Sequence, residues 1–139
     1  MSLHIQLFKK DFDIQNSRAD IDAAYTKLQA IKEALEQLED EYDDSKLSSH
    51  NITHNLSIMA KAAGLYDVLW NPESIGITTA SQLIPLLEKG IVELEANPDK
   101  YKAFNPPNKY GNYEDLVDFC KTVLQNCREN PDAVIEVSK

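Results

Sequence analysis

Between Ile21 and Tyr42, apolar side chains recur at Ile21, Ala24, Leu28, Ile31, Leu35, Leu38 and Tyr42, a heptad with a positions at 21, 28, 35 and 42 and d positions at 24, 31 and 38. Three heptads without Gly or Pro predict a long helix over 17–44, capped by Ser17 with Asp20 at its third position. The stripe has two readings. It can pack on the protein's own helices, or it can be a self-association or protein-partner seam with Ile21, Leu28, Ile31, Leu35 and Leu38 as contact residues. A strict 3.5 period favours a seam over the wider stripe of a core-facing helix.

Both ends alternate with period two: Leu3-His4-Ile5-Gln6-Leu7-Phe8, and Ala133-Val134-Ile135-Glu136-Val137-Ser138. Alternation predicts half-buried strands, and two strands at opposite ends of a helical chain predict pairing with each other. A second helix is predicted from Ser48 or Ser49 to Ala63, with Gly64 as a left-handed C-terminal residue and a helical turn over 65–70. Thr79 with Gln82 forms a capping box for a third helix buried through Leu83, Ile84, Leu87, Ile91 and Leu94, with Pro85 early enough to bend it without breaking it. Asn112 caps a fourth, running to about Glu129. Asn71-Pro72, Asn97-Pro98, Asn105-Pro106 and Asn130-Pro131 punctuate the boundaries. The expected fold is therefore mainly α with a small β element. It is a single domain over 1–139, with about four helices and a short sheet pairing the N- and C-terminal strands.

With 139 residues, 14 Lys and Arg and 23 Asp and Glu, the chain has a formal charge of −9, which disfavours phosphate backbones and anionic lipid heads. No nucleic acid and no membrane are expected as partners. The absence of a long apolar run or signal-like N-terminus predicts a cytoplasmic chain. Glu36, Glu39, Asp40, Glu41, Asp43 and Asp44 crowd the C-terminal end of the long helix, against its dipole. This reads as a fraying solvated end or a patch for a cation or basic partner, although the spacing fits no EF-hand loop. Cys120 and Cys127 lie two helical turns apart, roughly 10.5 Å of rise, too far for a mutual disulfide, and they share the core phase of Leu116 and Leu124.

Two polar clusters are the candidate sites. In Ser48-Ser49-His50-Asn51-Ile52-Thr53-His54-Asn55, the two histidines would share a helical face, but a metal needs a third ligand and none is evident, so no metal and no cofactor is expected. Asn51, His54 and Asn55 either cap the helix and fix its loop or open a ligand pocket at the helix start. The loop from Phe104 to Tyr113 is the second cluster, with Asn108, Tyr110 and Tyr113 as candidate ligand-binding side chains. Trp70, the single tryptophan, joins them as a partly buried anchor. No GxSxG, GxxxxGK[ST] or GxGxxG is present, and no Cys lies beside a His, so no catalytic residue is assigned.

The run Asn51-Ile52-Thr53-His54-Asn55-Leu56, followed by Met59-Ala60, Ala63-Gly64-Leu65-Tyr66, Leu69-Trp70, Leu83-Ile84-Pro85, Asn105-Pro106-Pro107-Asn108 and Gly111-Asn112-Tyr113, resembles a family of small uncharacterised proteins found in bacterial and bacteriophage genomes. The resemblance covers roughly residues 48–139 and implies no particular activity. It implies that both polar clusters are signature segments of the family, whose members usually carry Gly-Trp where Lys109-Tyr110 stand here, and that the 17–44 helix is a local addition. The expected function is that of a noncatalytic accessory or partner-binding protein of phage or mobile-element type. The alternative is a small-ligand binder or hydrolase with a site between 51–55 and 104–113.

Overall fold

Asp13 starts the longest helix, α1 (Ile14–Asp44), by accepting the backbone N–H of Asn16 on Oδ1 at 3.0 Å and its side-chain amide on Oδ2 at 2.7 Å. The helix thus begins a turn before Ser17, because an Asp cap is available upstream and nothing between the two breaks a helix. It ends where the backbone N–H of Ser45 donates to Glu41 O. None of its 31 residues is buried. From Ser2 to Asp13 the chain is not helical, and Phe8 and Phe12 stack across a turn with ring centroids 5.8 Å apart.

The computed structural model describes Ser2 to Lys139 and falls into two compact units that divide between Lys46 and Leu47. The second unit holds a short 3₁₀ turn (His54–Leu56) followed by α2 (Ser57–Ala62) and α3 (Tyr66–Trp70). A further 3₁₀ turn (Pro72–Ile75) leads to α4 (Ala80–Ala96), α5 (Pro98–Lys102) and α6 (Tyr113–Glu129). Its core is built on α4 against α6, where Leu87, Leu94, Leu116 and Cys120 are fully buried. The two run antiparallel, since Glu88 pairs with Arg128 at 2.9 Å and Glu95 with Lys121 at 2.8 Å. These pairs are about half exposed and contribute little energy; the buried apolar faces hold the helices. Gly90 brings α4 against Leu65, whose side-chain carbons lie 2.3 to 2.8 Å from where a Cβ would stand.

The caps follow local chemistry. Gln82 Oε1 accepts the Thr79 N–H at 3.1 Å and closes the capping box of α4, and Asn112 with Asp115 does the same for α6. Pro85 lies inside α4 and removes one hydrogen bond near its start. Gly64 takes φ +75 after α2.

Two expectations are overturned. Among the described residues there is no strand and no sheet, so the α-plus-small-sheet fold gives way to an all-helical one. The C-terminal segment instead lies along the entry to α4, where Ala80 N donates to Ala133 O at 2.8 Å and Ile135 N to Thr78 O at 3.0 Å, with one antiparallel bridge between Thr79 and Val134. Alternation only says that one side of an extended segment is covered. Ala133 and Ile135 are half-buried on the core and Val137 is half-buried, while Leu3, Ile5 and Leu7 are exposed. The helix expected from Ser48 or Ser49 is also absent over 48–53. Thr53 takes the cap, with its Oγ1 accepting from Asn55 N, and helical turns begin only at His54, so His50 and His54 do not share a helical face. No helix among the described residues is long and apolar enough to cross a membrane.

Candidate functional site

The two polar clusters meet through backbone. Gly111, at φ +90, lies so close to the 53–56 turn that a Cβ would stand 2.7 Å from Thr53 Cγ2 and 3.1 Å from Leu56 Cγ. Only glycine combines that approach with that conformation. Beside it Asn55 Nδ2 donates to Tyr110 O at 3.4 Å.

Most of the candidate side chains are spent on holding this arrangement. Trp70 is buried, stacks on Tyr66 with centroids 5.6 Å apart, and donates its indole N–H to His54 Nδ1 at 2.9 Å. Asn108 Oδ1 accepts from Tyr110 N at 3.0 Å within the loop. Tyr113 is buried; its N–H donates to Asn105 Oδ1 at 2.8 Å and its hydroxyl to Leu94 O at 2.7 Å, which ties the start of α6 to the end of α4. Burial raises the Tyr113 phenol above its ordinary range, with Glu95 adding to the effect. Tyr101 is raised in the same way by burial and then by its hydrogen bond to Glu93 Oε1 at 2.7 Å. The Tyr110 ring is exposed.

A cleft of about 500 Å³ opens next to this junction. One wall is the extended segment Ser49–Thr53 and the other is the outer face of α6, with Asp115, Asp118, Phe119 and Thr122; Leu56 and Gly111 close its end. Of the candidate residues only Asn51 lines it. His50, weighed in sequence only as a metal ligand, stands here edge-on to the Phe119 ring (centroids 6.3 Å apart, planes at 90°), with Nε2 facing Asn126 Nδ2 at 3.3 Å. Asp115, Asp118, Phe119 and Thr122 escaped the sequence reading. Their spacing of 0, 3, 4 and 7 is that of one helix face, but a mostly polar face opposite a core stripe reads as solvated surface.

The chemistry available is recognition by hydrogen bonds and two carboxylates. His54 Nδ1 accepts from the Trp70 indole, and His50 Nε2 faces Asn126 Nδ2. Asp115 Oδ2 accepts from Asn112 N in the α6 capping box. Cys120 and Cys127 are buried free thiols, and burial pushes Cys120 up to about 12 and Cys127 upward as well. No group of three or more His, Cys, Asp or Glu among the described residues is placed to hold a metal. The chain matches no family model, no curated protein and no solved structure.

Proposed function

We propose that this is a noncatalytic accessory protein of phage or mobile-element type, working in the bacterial cytoplasm by docking a protein partner, its own copy included, on the apolar stripe of α1. The observation that carries the reading is the exposure of that stripe: Leu28 is 45%, Ile31 65% and Leu38 62% exposed, on a helix with no buried residue. A 31-residue helix presenting an apolar seam from Ile21 to Tyr42 to water leaves its main favourable term unrealised, which a partner would supply. For a partner other than its own copy, the net charge of −9 favours a basic surface. The phage or mobile-element setting rests on the sequence pattern of residues 48–139 alone.

The test is the double change Leu28→Asp and Leu35→Asp. A docking stripe leaves the cooperative melting of the chain intact, because the new carboxylates enter water. Loss of that transition would mean that the stripe serves as internal core, and would overturn the reading.

A second reading, a small-ligand site, is favoured by the cleft between Ser49–Thr53 and α6, whose size lies in the ordinary range for ligand pockets. Thermal-shift screening of cationic small molecules, with Asp118→Asn as the control, tests it.

A further inference from the structure

We infer that the occupant of the α1 stripe is a second copy of this chain, paired antiparallel. The inference rests on the reading of α1 as a docking face and adds to it the partner's identity and direction.

The charge along α1 is divided. Its half from Ala30 to Asp44 holds seven carboxylates against the single cation Lys32, whereas the half from Ile14 to Gln29 balances Arg18 and Lys27 against Asp20 and Asp22. Parallel pairing sets the two acidic halves side by side and adds their aligned dipoles. Antiparallel pairing lays each acidic half along a neutral one and opposes the dipoles.

Side-chain volumes agree. With the twofold axis between Gln29 and Ala30, Leu28 meets Ile31 of the second copy, Ile21 meets Leu38, Ala24 meets Leu35 and Ser17 meets Tyr42. Each small residue faces a large one, the arrangement that fills a seam without voids. In parallel register Ala24 would face its own copy and leave a gap, while the two Tyr42 rings would crowd each other. The flanking positions follow: antiparallel alignment brings Arg18 to Glu39 of the second copy, whereas within the helix parallel alignment brings Lys27 to Lys32. Antiparallel pairing also brings Asp20 to Glu41, a like-charge contact that offsets the Arg18–Glu39 pair, so the flanks favour this direction only by avoiding Lys27 beside Lys32.

Cross-linking between ends distinguishes the arrangements. Ser17 and Tyr42 are about 37 Å apart along one helix, against the roughly 6 Å between Cα atoms that a disulfide requires. Under air oxidation, full-length Ser17→Cys and Tyr42→Cys proteins mixed together should give a covalent dimer, and neither should do so alone; the wild type, with both cysteines buried, is the blank. Dimers from each variant alone would mean parallel pairing and overturn the inference. A wild-type chain that sediments as a monomer up to millimolar concentration would overturn it as well. That outcome leaves the docking-face reading to be judged separately by the melting of the Leu28→Asp, Leu35→Asp protein.

Discussion

The indole N–H of Trp70 donates to Nδ1 of His54 across 2.9 Å, so His54 carries its ring proton on Nε2 and the single tryptophan is fixed by a residue 16 positions earlier in the chain. This bond makes the Asn51–Leu56 run structurally specific, because it sets the turn on which Gly111 and Tyr110 rest.

Removing the acceptor should therefore strand the indole donor while leaving the ring in place. His54→Ala leaves a buried indole N–H unpaired, with an expected loss of about 1–3 kcal/mol, whereas Trp70→Gln would mix this effect with a lost ring and is uninformative. The informative partner is His54→Gln, whose amide oxygen can accept the same bond and should recover part of the loss. Urea unfolding followed by Trp70 fluorescence measures both; equal stability of the two variants and the wild type would show that the bond contributes nothing.

Packing of α4 on Leu65 is the next point of leverage. Gly90→Ala should gain up to about 1 kcal/mol from helix propensity if the site were open. Leu65 is fully buried and its carbons stand within 2.8 Å of the added methyl, so a net destabilisation of about 1–3 kcal/mol is expected instead. Gly76→Ala provides the contrast, since nothing lies within 4 Å and only the φ of +76 is strained. Thermal melts should place Gly90→Ala below the wild type, and a melting temperature at or above the wild type's would refute tight α4–Leu65 packing.

The hydroxyl of Tyr113 predicts a smaller effect. Tyr113→Phe keeps the ring in the core and removes the donor to Leu94 O, a carbonyl near the end of α4, for an expected loss of about 1 kcal/mol. A change confined to ligand response, with stability untouched, would assign this residue to a binding site instead.

What the sequence could carry follows the range of each signal. The α1 heptad and the caps at Thr79 and Asn112 depend on residues within one or two turns of each other, so spacing alone reveals them. Spacing does not fix the helix start after Ser49, because Ser48, Ser49, Asn51 and Thr53 are all competent caps, and the one that caps, Thr53, is the one packed against Gly111. The sheet failed for a related reason. Alternation at Ala133–Val137 specifies one covered side, while the backbone that pairs with it, at Thr78–Ala80, carries no alternation of its own. The cleft was the least legible feature, because one wall ends at Thr53 and the other begins at Asp115, more than sixty residues away.

Cys120 gives a prediction in which pH decides the outcome. Burial pushes its thiol up to about 12 from an ordinary value near 9, and Cys127 is shifted in the same direction. At pH 8 the native chain should thus resist iodoacetamide at Cys120, and two thiols should become reactive on unfolding. The linkage has a definite sign. The unfolded chain releases its thiol protons at lower pH than the native one, so stability is fully present below about pH 9 and is lost as pH rises toward 12, with the raised phenols of Tyr101 and Tyr113 steepening the fall. Cys120→Ala should flatten the alkaline limb of a plot of melting temperature against pH while lowering the plateau through the lost sulfur packing. An alkaline limb identical to that of the wild type would show that the thiol is hydrated in the native state.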